Sequence, residues 1–331
     1  MSKSWQSVYS MENPPLSPTC PRLLLAEEKE QKCHTRVFYN LFDDEFYNFK
    51  LPELAGKICI GTSFGWLLSV GADFQMNLFH PLSKHQLSLP PHPYVWEGYN
   101  RNFELDPIDC SDIFLYKCVL SRNPWNSVTH GYDRDCIIMV IHTNYETLAF
   151  TRPGYKAWID IKCDSRNFYD ITFYKDKFYA VNNHGDVFVC HIEDDIAFAE
   201  RIAIYKETED YIHEDESEDE NPYVTLGFTV LKLECSTEVK NKNEYEWVNV
   251  DSLGDQALFV GGNSSVSLSA SSFNGCKANC IYFIDDNFDF FLATLNGGGY
   301  DMGVFSMEDG NIKQHYRGES LSYFAPPVWY I

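Results

Sequence analysis

The chain has 331 residues, of which 44% are hydrophobic and 16% aromatic, enough to bury a substantial core and to exclude global disorder. It carries 26 basic and 48 acidic residues, a formal net charge of −22. A field of that sign repels phosphate backbones and anionic lipids, so neither nucleic acid nor a membrane is an expected partner. No apolar run approaches the roughly 18 residues that cross a bilayer.

The cysteines point to a reducing compartment. There are 11, an odd number, and most are scattered singly among apolar residues, as in the run 136–141. This pattern predicts buried free thiols rather than disulfides. The N-terminal residues lack the apolar core of a secretory signal, so we expect the protein in the cytosol or the nucleus.

Strand patterns follow one another along the chain, and helical periodicity is almost absent. Short aromatic-rich segments alternate with turns of Gly, Asn, Asp and Pro, which favours hairpins and meanders. The predicted strands are two hairpins (37–42 with 46–51, and 65–70 with 75–79), a three-strand meander (170–174, 177–181 and 186–190) and the later strands 281–284 and 302–307.

An imperfect repeat suggests how these strands are organised. A strand, a polar turn and a second short strand recur at 78–87, 148–158 and 303–313. At about 40–50 residues for each four-stranded blade, the chain length predicts an all-β fold, a single β-propeller of six or seven blades. A β-sandwich would need two domains, and no linker divides the chain. We expect N- and C-terminal strands to close the ring, with hairpin 37–51 beside 304–307 and 311–316.

Residues 207–220 hold nine acidic side chains and no basic one. Like charges at this density repel one another, so the segment is predicted to be a disordered acidic loop. The alternative is a docking site for a basic partner, or an acidophilic-kinase site at Ser217.

No motif for catalysis or for metal binding stands out. The cysteine spacing does not match a zinc site, and neither a phosphate-binding loop nor a nucleophile elbow is present. We therefore predict no cofactor, no metal and no catalytic residues. The rival interpretation is a propeller enzyme with two carboxylates at the channel mouth, for example a glycosidase.

Aromatic residues in loops are better candidates for partner binding than those in strands. Trp66 and Trp158 lie in or beside strands and are expected in the core. Trp96 and Tyr99 lie in the proline-rich stretch 90–99, and Trp125 lies between two predicted strands. Because exposed Trp and Tyr are enriched at binding hot spots, Trp96, Tyr99 and Trp125 are the predicted contacts for a partner protein.

The order and spacing of several short segments resemble a known plant family. It comprises the F-box-associated β-propellers of "domain of unknown function 295", related to the kink-suppressor F-box proteins. The resemblance covers about residues 20–331 and is carried by residues 61–67, 78–82, 87–91, 148–154, 174–181, 252–259, 279–283, 301–305 and 326–329.

The resemblance implies a non-enzymatic module that recruits a client protein to an SCF-type ubiquitin ligase. Members usually carry an N-terminal F-box helical bundle that binds the adaptor Skp1. Here residues 1–10 resemble only the end of its last helix, residues 11–36 a linker and entry segment, and residues 37–331 the propeller. A stable Skp1 complex is therefore not expected, and the client is unknown.

Overall fold

The computed structural model describes eleven ranges of the chain, namely residues 21–25, 34–71, 75–91, 115–142, 147–194, 196–205, 224–235, 245–263, 265–285, 301–316 and 327–331. In these ranges the only helical elements are single 3-10 turns at Pro52–Leu54 and Ala270–Ser272. Within the same ranges, no helix has the length and apolar character needed to span a membrane. The predicted scarcity of helix is confirmed for the described residues.

The described residues form twenty-five strands. The first thirteen are β1 (Arg22–Leu24), β2 (Thr35–Asn40), β3 (Glu45–Lys50), β4 (Ile58–Gly61), β5 (Leu67–Val70), β6 (Met76–Phe79), β7 (Gln86–Ser88), β8 (Leu115–Leu120), β9 (Trp125–Asn126), β10 (Gly131–Tyr132), β11 (Ile138–His142), β12 (Thr147–Thr151) and β13 (Ile159–Asp160). The rest are β14 (Phe168–Tyr174), β15 (Lys177–Asn182), β16 (Val187–Glu193), β17 (Ile196–Ala203), β18 (Leu231–Cys235), β19 (Tyr245–Asn249), β20 (Gln256–Val260), β21 (Val266–Ser269), β22 (Cys280–Phe283), β23 (Gly303–Ser306), β24 (Ile312–Lys313) and β25 (Val328–Tyr330).

The protein is an all-β propeller. Within the described residues five sheets of four or five strands form its blades, and two further hairpins, β9–β10 and β18–β19, stand beside them. Blade 1 has the order β25-β1-β2-β3, blade 2 β4-β5-β6-β7, blade 3 β13-β12-β11-β8, blade 4 β14-β15-β16-β17, and blade 5 β21-β20-β22-β23-β24. The expected count of six or seven blades is wrong for these residues. Residues 204–255, long enough for another blade, contribute only β18–β19 to the described part.

Blade 1 brings the two ends of the chain into one sheet. β25 is antiparallel to β1, with Leu23 opposite Trp329, and β1 is antiparallel to β2. The expected direct pairing of 37–51 with 304–307 and 311–316 is wrong, because β2 pairs with β1 and β3, whereas β23 and β24 belong to blade 5. Pro327 does not prevent pairing, since β25 begins one residue after it and no proline has to donate a ladder hydrogen bond.

The predicted repeat is confirmed as a structural repeat. Segments 78–87 and 303–313 overlap the last hairpin of a blade, β6–β7 and β23–β24, whereas segment 148–158 covers β12 and the turn that leads to β13, which begins at Ile159. The predicted hairpins around residues 43–45 and 71–75 and the meander β14–β15–β16 are confirmed as well. Alternating apolar residues and turn-forming residues specified these local pairings.

Among the described residues, four apolar cores hold neighbouring blades together. They lie between blades 1 and 2, 2 and 3, 3 and 4, and 5 and 1. Between blades 4 and 5 the described residues instead leave an open groove of about 380 Å³. Its walls are mainly apolar, with Tyr179, Val181 and Val187 on one side and Leu258 and Val260 on the other.

Candidate functional site

The centre of the ring holds a polar network that reaches each of the five described blades. Lys117, on β8, is buried, and its ammonium donates to the backbone carbonyl oxygens of Gly261 and, at 2.9 Å, Asn263. Asp170 of blade 4 lies 3.9 Å from the same ammonium and accepts a hydrogen bond from Ser265. A buried charge requires such partners, and these contacts supply them.

The other two blades meet the network through backbone atoms. The Asn263 side chain accepts a hydrogen bond from the Trp329 N–H at 3.1 Å and donates to its carbonyl oxygen at 3.2 Å, which ties β25 to blade 5. Gly61 of blade 2 packs so closely that an added Cβ would lie 2.2 Å from the Trp329 carbonyl oxygen. The network therefore joins the blades.

This centre differs from a glycosidase site. Among the described residues it combines one carboxylate, one ammonium and several backbone carbonyl groups, whereas glycosidases place two carboxyl groups about 5–10 Å apart. The described part of the chain also contains no cluster of three or more side chains suited to hold a metal ion.

Trp125 lies in a small hairpin between the first two strands of blade 3. Hairpin β9–β10 is inserted in the connection 121–137, and the Trp125 ring stacks on His85 of blade 2 with ring centroids 3.7 Å apart. Tyr132, its neighbour across the hairpin, meets Trp125 edge-on at 5.3 Å and donates its hydroxyl proton to the Gln86 carbonyl oxygen. Trp125 is thus half-buried and held in one orientation.

The surface around Trp125 is built from three connections at one end of blades 2 and 3, residues 62–66, 80–85 and 121–137, which we call the rim. Asn123 joins two of them, because its side-chain oxygen accepts from Trp66 Nε1 at 3.1 Å and from the Trp125 N–H at 3.0 Å. His80 packs edge-on against Trp66, and its pKa is lowered by burial and by the nearby His85. Val128, at the tip of hairpin β9–β10, is 87% exposed.

The other predicted site residues, Trp96, Tyr99 and Ser217, lie outside the described residues. So do residues 1–10 and the acidic segment 207–220.

Two predictions about core residues are tested directly. Trp66 is buried, as expected, whereas Trp158 is half-buried, packs against the core of blades 2 and 3 and donates Nε1–H to the Pro90 carbonyl oxygen. Seven described cysteines are free, and five of them are buried. Burial raises the pKa of the Cys136 thiol to about 11, so it stays protonated and unreactive. The expectation of buried free thiols is confirmed for these residues.

Sequence reasoning missed the central network. Its only signal was a lysine inside the otherwise apolar strand Leu115–Leu120, which does not identify a partner. Asp170 and Asn263 lie about 50 and 150 residues further along the chain, and only the ring brings them to Lys117.

Comparison with known proteins identifies the family. The family described as KIB1-4 beta-propeller matches residues 38–306. Three relatives from Arabidopsis thaliana match most of the chain. "Putative F-box protein At5g55150" is 25% identical over 84% of this chain and 77% of its own. "Putative F-box protein At3g25750" is 27% identical over 97% and 88%, and "F-box protein SKIP23" is 23% identical over 88% and 81%. These matches confirm the resemblance to plant F-box proteins, and the chain belongs to the KIB1-4 β-propeller family.

Proposed function

We propose that the chain is a non-enzymatic interaction module that holds a client protein at the rim of blades 2 and 3. The observation that carries the proposal is Trp125, a large aromatic ring fixed on His85 and Tyr132 beside an exposed hairpin tip. Binding hot spots are enriched in Trp and Tyr that are partly desolvated and surrounded by contacts that exclude water. A ring that is already ordered loses little entropy on binding.

The charges of the rim favour a client with a mixed surface. Arg122 and Arg134 lie beside Asp133 and Asp135, and the Arg122 guanidinium is 3.8 Å from the Asp133 carboxylate. The net charge of −22 would act at longer range, where it steers a client with basic regions toward the protein more than it strengthens the complex.

The proposal assigns the client-binding role to the propeller, residues 37–331 with its entry segment. Trp96 and Tyr99 are proposed as further contacts of the same client, and Ser217 in the acidic segment is a proposed phosphorylation site. The relatives are named as F-box proteins, which supports a place in ubiquitin-ligase assemblies. The free thiols support a cytosolic or nuclear location.

Client capture by two tryptophan variants tests the proposal. Trp125→Ala removes the rim anchor, and Trp247→Ala removes a half-buried tryptophan in the other small hairpin, where it packs edge-on against Tyr205. Tagged full-length chains are incubated in plant-cell extract, and captured proteins are quantified by mass spectrometry. A client that wild type and Trp247→Ala retain but Trp125→Ala loses is then purified for calorimetry.

The expected loss of binding free energy for Trp125→Ala is about 2 kcal/mol or more, with an unchanged circular dichroism spectrum. Equal capture by all three chains would contradict the rim site, and variants of Trp96 and Tyr99 would then test the further contacts.

A further inference from the structure

The turn between β4 and β5 contains a residue that the fold does not favour. The Trp66 N–H donates to the Ser63 carbonyl oxygen, and the two central residues, Phe64 and Gly65, have φ of 62° and 71°. Two consecutive positive φ angles are typical of a type I′ hairpin turn, for which Asn-Gly is the preferred pair. Glycine suits its position, but a bulky aromatic side chain in the left-handed region is strained.

Packing does not explain the phenylalanine. Its side chain is 49% exposed, and within the described part of the chain it belongs to none of the four apolar cores. Strained backbone conformations cluster at functional sites, where the surrounding structure maintains them, so the strained and exposed Phe64 is a candidate for a functional role.

The turn is held firmly in place. The Gly65 N–H donates to the Ile331 carbonyl oxygen at 2.7 Å, and an added Cβ at Gly65 would lie 3.1 Å from the Tyr330 hydroxyl and 3.2 Å from His80 Nε2. The next residue, Trp66, is tied to the Trp125 hairpin through Asn123. Phe64 and Trp125 therefore lie in connections at the same end of blades 2 and 3 that are linked through Trp66 and Asn123, and the Phe64 side chain is exposed.

We propose that Phe64 is a direct contact of the client protein, and that its ring enters an apolar recess on the client surface. The inference rests on the proposed function and extends the binding surface from blade 3 to the first turn of blade 2. The partner that fits has a pocket for one aromatic ring, bordered by charges of both signs that face Arg122 and Asp133.

Phe64→Asn tests this inference with two readouts that move in opposite directions. Asparagine is favoured at this turn position, so the thermal midpoint should rise, whereas affinity for the client should fall about tenfold or more. The matched control is Lys175→Asn in the turn between the first two strands of blade 4, where Lys175 and Asp176 also have positive φ, of 47° and 60°. It should raise the thermal midpoint without changing affinity for the client.

Phe64→Gly is a second variant of the same position. Glycine adopts the same φ without strain, so this variant removes the aromatic ring and keeps the turn.

Photo-cross-linking tests the contact itself. A benzoyl-phenylalanine placed at position 64 or 128 of the full chain should cross-link the purified client, and one at Tyr174, which is 58% exposed beside the control turn, should not. Unchanged affinity for Phe64→Asn and Phe64→Gly, or no cross-link from position 64, would overturn the inference while Trp125-dependent binding stands. If Trp125→Ala also leaves binding unchanged, the proposed function fails, and this inference fails with it.

Discussion

Lys117 and Asn263 lie on different blades and meet at the centre of the ring, where the Lys117 ammonium donates to the Asn263 carbonyl oxygen at 2.9 Å. Asn263 in turn is bonded to the backbone of Trp329 on the C-terminal strand. Through these two residues blade 3 is connected to blades 5 and 1. We therefore expect the network to stabilise the ring rather than to take part in catalysis.

Replacing Lys117 by methionine tests that role. The variant leaves the carbonyl oxygens of Gly261 and Asn263 without the ammonium donor. Each buried polar group that loses its hydrogen-bond partner lowers the free energy of unfolding by about 1–3 kcal/mol. We expect a loss of about 3 kcal/mol in urea unfolding. Lys177→Met, at an exposed position in β15, is the control and should change stability by less than about 0.5 kcal/mol. Equal effects of the two variants would show that the central contacts contribute nothing.

Gly61→Ala tests the close approach of blades 1 and 2. The added methyl group would lie 2.2 Å from the Trp329 carbonyl oxygen and 2.9 Å from Asn263 Nδ2, so backbone would have to move. We expect a loss of about 2 kcal/mol or more and a lower melting temperature. In Gly131→Ala the nearest atoms are 3.9 Å from the new Cβ, so its melting temperature should change little. A stable Gly61→Ala protein would mean that the two blades can separate at this point.

Local features of the fold could be predicted from sequence, and features that depend on ring geometry could not. The hairpin around residues 43–45 and the meander β14–β15–β16 follow from alternation and turn residues within about 25 positions of one another. The partner of the N-terminal strands could not be found in this way. β1 has three residues, Arg22–Leu24, too few for a clear alternation, and its neighbour β25 lies about 300 residues away.

The candidate site likewise combines a residue that the sequence could indicate with one that it could not. Trp125 could be selected because a tryptophan between two strands and next to a proline is a recognisable interface signal. Phe64 could not, because its significance depends on a φ of 62° and an exposure of 49%, and neither is visible in the segment Ser-Phe-Gly-Trp. Even a correctly placed turn at Phe64 and Gly65 would have shown only that a phenylalanine stands where asparagine is preferred, and not that its ring is exposed.

His315 predicts how stability depends on pH. Burial lowers its pKa from 6.5 to about 4, although the hydrogen bond from Nε2 to the Phe283 carbonyl oxygen, 2.9 Å long, acts in the opposite direction. The unfolded chain therefore takes up this proton at a higher pH than the folded chain does. The neutral His315 contributes fully to the free energy of unfolding above about pH 6.5. This contribution, about 3 kcal/mol, is lost as the pH falls toward 4.

The measurement is the free energy of unfolding between pH 7 and pH 5. His315→Gln keeps an N–H donor for the Phe283 carbonyl group but cannot titrate, so stability should fall less steeply with acid than in wild type. His184→Gln, on an exposed turn, is the control and should keep the wild-type slope. The same slope for wild type and His315→Gln would show that another group causes the acid sensitivity.

Two isosteric substitutions test whether the groove between blades 4 and 5 is open to solvent. Val181 on β15 lines the groove and is half-buried, whereas Val140, on the corresponding second strand of blade 3, is fully buried in the core between blades 2 and 3. Threonine has the shape of valine but carries a hydroxyl group in place of one methyl group, and a hydroxyl buried without a hydrogen-bond partner lowers stability by about 1–3 kcal/mol. Val140→Thr should therefore lower stability by that amount in urea unfolding, and Val181→Thr by less than about 0.5 kcal/mol because water can reach the hydroxyl. A comparable loss for both variants would mean that the groove is filled in solution and that blades 4 and 5 are joined by a fifth apolar core.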